Sequence, residues 1–247
     1  MAIGRTERVI RVLLALALLP LCAATTLVNL DMLTAAAAAA DTFLTPLLAL
    51  IGGAAIWTLV YIFLPHPVRT YIIGHELTHA LWGLLFGARF SNIKVGDSGG
   101  SVRLTKTNTL ITLAPYFFPF YTMILTAIWF VAGLFLNLTP YTLIFLFLVG
   151  LTWSFHITFT INSLLIHQPD IVECGRLFSY VLIYILNVIG ISLWIICATP
   201  VADTALVDSM ITRTTSAYAT TGHSLRKVTI SLFHTISNLY HNYGTHN

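Results

Sequence analysis

Apolar residues run almost unbroken through most of this chain, and polar residues gather in a few short intervals. Val9–Asn29 is apolar after an arginine-bearing start, about the 20 residues that a bilayer-spanning helix needs. Phe43–Leu64 is a second such stretch, stopped by Pro65-His66-Pro67. Tyr71–Ala88 is a third, just long enough to cross a membrane or to enter it and turn back. Leu110–Leu136 carries Pro115 and Pro119, which should kink or unwind it. Tyr141–Ile166 and Phe178–Ala198 follow. The pattern predicts an all-α polytopic membrane protein of about six transmembrane or re-entrant helices. The first stretch also offers small residues near Cys22-Ala23-Ala24, as a cleaved signal over residues 1–24 would; its length favours a retained span.

The polar intervals refine this picture. Phe90–Val95 and Ser101–Thr105 alternate apolar and polar residues around Gly96-Asp97-Ser98-Gly99-Gly100, the mark of a β-hairpin. An open strand edge there would be able to bind an extended peptide by adding a strand; the alternative is a solvated loop. The alanine run from Ala35 to Ala40 reads as a connector. After Pro200, residues 201–222 give few signals, whereas Leu225, Val228, Leu232, Ile236, Leu239 and Tyr243 keep helical spacing. That predicts a C-terminal amphipathic helix on the membrane surface. Three regions result: N-terminal spans over 1–70, a core over 71–200 with the hairpin at 90–106, and a tail over 201–247.

Composition agrees. The chain is 57% hydrophobic and 9% charged, with mean hydropathy +0.86, against about 25% charged residues in soluble domains. Most of its 247 residues are taken up by spans, leaving no room for a sizeable soluble module. The net charge of +3 comes from clusters at Arg5–Arg11, Arg89–Lys106 and Arg213–Lys227. These fit cytoplasmic loops and lipid headgroups rather than nucleic acid, and place the N-terminus and the hairpin in the cytoplasm. Cys22, Cys174 and Cys197 are scattered and form no disulfide framework.

Within the third apolar stretch lies His75-Glu76-Leu77-Thr78-His79. Two histidines four apart share one helix face, so both imidazoles can reach one zinc ion. Glu76, a quarter-turn round, is placed to take a proton from metal-bound water. A hydrolytic zinc site commonly uses a third protein ligand and keeps one position open. Asp170, in His167-Gln168-Pro169-Asp170, is the best candidate, because a carboxylate at membrane depth is costly unless it is paired or ligated. His167 and His156 are weaker candidates, the latter more in keeping with a helix–helix hydrogen bond. Glu173 belongs at the membrane surface.

These motifs resemble the site-2 protease family of intramembrane zinc metallopeptidases. In that family a membrane helix carries HExxH, a membrane-associated hairpin follows, and a later span supplies an aspartate after an asparagine and a proline. Here Asn162 precedes Asp170 by eight residues, with Pro169 adjacent, and Ala114-Pro115 is similar to the family's small-residue-and-proline motif. Gly175-Arg176 is a displaced match to the glycine and arginine after the aspartate. The resemblance spans about Tyr71 to Tyr180. It departs from the family pattern in Pro169-Asp170-Ile171 and in having no PDZ or CBS-type domain, as in a compact bacterial-type member.

The resemblance implies Zn2+ held by His75, His79 and Asp170, Glu76 as the catalytic base, and Asn162 binding the substrate backbone. The implied substrates are membrane-anchored proteins cut in regulated intramembrane proteolysis at the bacterial inner membrane, with selectivity from a regulatory partner or from substrate helix instability. Two alternatives come from other classes. One is a transporter or channel using the buried His and Asp groups; the other is a catalytically silent membrane scaffold.

Overall fold

The computed structural model describes residues 4–38, 40–96, 99–198 and 203–244. Nine α-helices and one hairpin follow in the order α1 (Arg5–Ala38), α2 (Ala40–Phe63), α3 (Val68–Leu85), β1 (Phe90–Val95), β2 (Gly100–Leu104), α4 (Thr109–Phe117), α5 (Phe120–Gly133), α6 (Thr142–Leu165), α7 (Pro169–Cys174), α8 (Arg176–Ala198) and α9 (Asp203–Gly244). A single 3-10 turn, Thr139–Tyr141, leads into α6. Helices α1, α2, α6 and α8 are long and apolar enough to cross a membrane, which is compatible with an integral membrane protein. Helices α4 and α5 qualify only as a pair, bent by 78°. The bend falls at Phe118-Pro119, where proline cannot donate the amide that would continue the helix.

Two groups of long helices flank the short elements. On one side α1 packs against α8 and α9, and on the other α2 packs against α6. The α2–α6 crossing rests on glycine. A Cβ at Gly53 would overlap the carbonyl oxygen of Phe147, and one at Gly150 would overlap that of Leu50. Such backbone approach is how membrane helices gain packing without a hydrophobic drive between them. Gly150→Leu therefore forces the pair apart, at or above the top of the roughly 1–3 kcal/mol typical of overpacking. Thermal unfolding in detergent should register this as a clear drop in midpoint.

Helix α4 touches both groups, through α8 and α6, and packs on α3 and α7. Just past the end of α3, Gly87 has a positive φ of 71° that suits glycine, and the chain then turns back along α3 as the hairpin. Its base is tied by Thr105 N–H to the Arg89 carbonyl and by Leu104 against Gly83. Strands β1 and β2 are antiparallel, with Phe90 opposite Leu104 and Val95 opposite Gly100, and a bulge between Ser91 and Lys94. Asp97 and Ser98 of the expected turn lie outside the described residues.

Two expectations need correction. The alanine run is not a connector: Ala35–Ala38 continues α1, as alanine's helix propensity favours. The tail is not a weak stretch followed by a short helix; α9 is one 42-residue helix. Its first half is helical because it packs on α1, where Arg213 forms a bidentate ion pair with Asp31 at 2.6 and 2.7 Å. Tyr218 also donates to the Ala17 carbonyl. From 222 to 236 every α9 residue is exposed, Leu225, Val228, Leu232 and Ile236 included; the side chains of Leu239 and Tyr243 lie outside the described ones.

Candidate metal centre

Tyr71, His75 and His79 form a stripe along α3, each one turn from the next. Asp170 reaches the same point from the first turn of α7, where Pro169 starts a fresh six-residue helix after α6 has ended. His75 Nε2 and His79 Nε2 lie 3.2 Å apart, and Asp170 Oδ2 lies 3.4 Å from the first and 3.5 Å from the second. A tetrahedral ion with bonds of 2.0–2.1 Å separates its ligand atoms by about 3.3–3.4 Å. The three atoms thus already form one face of such a site. Among the described residues this is the group of His, Cys, Asp or Glu that could hold a metal ion.

Hydrogen bonding fixes which ring nitrogens face inward. His79 Nδ1 donates to the Ile111 carbonyl at 2.9 Å; a carbonyl only accepts, so that nitrogen carries the proton and Nε2 keeps its lone pair. His75 Nδ1 lies 3.3 Å from the Tyr71 hydroxyl, which is 2.8 Å from the Ser163 hydroxyl. A proton on His75 Nδ1 lets each hydroxyl along this chain accept from one side and donate to the other. Tyr116 donates to Asp170 Oδ2 at 3.0 Å. Two lone pairs and a carboxylate oxygen then converge with little hydrogen to share, an arrangement that a cation stabilises.

Tyr116 is fully buried and meets His75 edge to face, ring centroids 5.3 Å apart. Tyr116→Phe keeps that packing and removes only the donor to Asp170. Loss of such an orienting partner weakens metal binding about 10–100-fold. A competitive chelator titration of the purified protein measures this, and an unchanged affinity would deny Tyr116 the role.

Glu76 is buried but borders a cleft of about 630 Å³ that also contains His75, His79 and Asp170, within the size range of ligand sites. The hairpin makes one wall. A Cβ on Gly100 would lie 2.7 Å from Glu76 Cγ and Oε1, so only glycine lets β2 approach the glutamate this closely. Gly99 to Val102 line the cleft on that side, and Asn162, Ser163 and Pro169 line it elsewhere. Among the described residues β2 pairs with β1 alone, and β2, not β1, borders the cleft.

The structure thus gathers His75, Glu76, His79, Asp170 and Asn162 around one cleft. Glu173 is exposed and borders the same space. His167 is exposed and outside the cluster. His156 is buried on α6 and lines a separate cavity of about 20 Å³, room for one water, between α3, α6 and the α4–α5 bend. Gly175, with a φ of 86°, ends α7 before Arg176 opens α8. Sequence reasoning missed Tyr71, Ile111, Tyr116, Ser163 and Gly100. The 71-75-79 stripe was the one available signal; the others lie 24 or more positions from the partner they serve. Comparison with protein-family models, with curated proteins and with solved structures finds no match to this chain.

Proposed function

We propose that this protein is an intramembrane zinc metallopeptidase that hydrolyses peptide bonds of membrane-anchored substrates, as the resemblance to the site-2 protease family implies. The observation that carries the reading is the convergence of His75 Nε2, His79 Nε2 and Asp170 Oδ2 beside Glu76 in one cleft. Two imidazoles and a carboxylate are a donor set suited to zinc. When bound, zinc supplies a Lewis acid that activates water and polarises a carbonyl at neutral pH.

The chain's own residues supply the rest. A peptide segment added along the free side of β2 becomes a third strand, with its amides satisfied by the hairpin rather than by a substrate helix. Because Gly100 brings β2 against Glu76, that segment runs past the carboxylate. Asn162, on another wall, offers its amide to the substrate backbone. Glu76 accepts a proton from water as the oxygen bonds to the peptide carbon, then passes it to the nitrogen as the C–N bond breaks. The products are a carboxylic acid and an amine, which exchange a proton at neutral pH to become a carboxylate and an ammonium, and Glu76 returns to its starting state.

Metal removal tests the reading. Protein extracted in mild detergent should carry about one zinc per chain and cleave a membrane-spanning substrate. Exhaustive chelation should stop cleavage and zinc should restore it. Cleavage that persists without metal would sink the proposal, as would flux in proteoliposomes from a fully metallated protein with no peptidase activity.

A further inference from the structure

The orientation of His79 depends on an amide that the chain lacks. The Ile111 carbonyl, which receives His79 Nδ1–H at 2.9 Å, would in an uninterrupted helix accept from the amide of residue 115. Residue 115 is proline and has no N–H. Helix α4 nevertheless continues to Phe117, with its N-terminus held by the Asn108 side chain on Ile111 N–H. The carbonyl therefore keeps a helical direction while its helical donor is missing. Ile111 is 1% exposed, and a buried carbonyl without a donor is costly.

Resting on the metal-centre reading above, we infer that Pro115 is a positioning residue: by withholding an amide from Ile111, it reserves that carbonyl for His79 Nδ1–H and so turns Nε2 towards His75 and Asp170. The neighbouring turn of α4 is used in the same way. The Tyr116 carbonyl, whose helical donor would be residue 120 across the 78° bend, accepts instead from the Asn187 amide at 2.8 Å. The Tyr116 hydroxyl meanwhile holds Asp170. One short helix thus orients two of the three converging groups, His79 through a freed carbonyl and Asp170 through a hydroxyl.

Pro115→Ala restores the amide, which then competes with His79 for Ile111. In full-length protein in detergent, Co2+ affinity should fall about tenfold or more, and the visible absorption of bound Co2+ should change as His79 swings. A lower melting temperature with unchanged Co2+ affinity and spectrum would mean the proline serves the fold alone, and would overturn the inference. A second measurement needs only the parent. With zinc bound and histidines labelled with 15N, His79 should show a slowly exchanging Nδ1 proton, assigned by its loss in His79→Gln. Its absence overturns the inference whether or not the alanine variant folds. A parent that binds no Co2+ overturns the metal reading itself, whereas a parent that binds it as tightly as Pro115→Ala overturns only the role of the proline.

Discussion

Glu76→Gln should reduce peptide cleavage by about 10²- to 10⁴-fold, the usual contribution of a general acid–base group, while leaving metal content unchanged. Glutamine matches glutamate in size, so it fits against Gly100 as the glutamate does. It cannot take up a proton. Glu76 stands outside the group formed by His75, His79 and Asp170, so the ion should bind the variant as it binds the parent. Single-turnover cleavage of a membrane-spanning substrate, with zinc quantified in the same preparation, separates the two effects. A variant that cleaves as fast as the parent would remove Glu76 from the chemistry. A variant that loses its zinc would make Glu76 a ligand instead of a base.

Asp170→Asn should act the other way, through the metal. Asparagine retains an oxygen for the Tyr116 hydroxyl and nearly the same shape, so the α7 turn should persist. What disappears is the negative charge and the better donor atom at 3.4–3.5 Å from both imidazoles. Orienting partners alone are worth about 10–100-fold in metal affinity, and a direct ligand should exceed that, so a loss beyond about 100-fold, or about 2.7 kcal/mol, is expected. Dialysis against a competing chelator followed by metal analysis gives the number. Zinc retained at the parent's affinity would show that Asp170 merely faces the histidine pair.

Helices whose apolar run is continuous were legible from residue types, because lipid demands long uninterrupted apolar segments and internal backbone pairing. The hairpin was legible from alternation around glycines. Helix α9 was not: its first half is rich in threonine and alanine, with no strong apolar stripe, and Arg213 finds Asp31 182 positions away. The same limit applies to the centre. His75, Glu76 and His79 are local to one helix, and Tyr71 shares their face. Nothing in the chain marks Tyr116 as a partner of Asp170, because that contact joins residues 54 positions apart.

His156 shows the converse. An isolated histidine in an apolar span is chemically as eligible a ligand as any other, and its burial excludes nothing. Helix α6 turns it towards the small cavity beside the α4–α5 bend, which His75 borders but Glu76 and Asp170 do not.

By itself the sequence determined the long apolar helices, the hairpin and the paired imidazoles, because each follows from periodicity within one segment. Only the tertiary structure decided that Asp170 closes the triad, that His79 presents Nε2 and that β2 rests on Glu76. Those outcomes depend on how separate helices dock and on where a bend, a proline or a glycine leaves a backbone group or a gap for a distant side chain to fill.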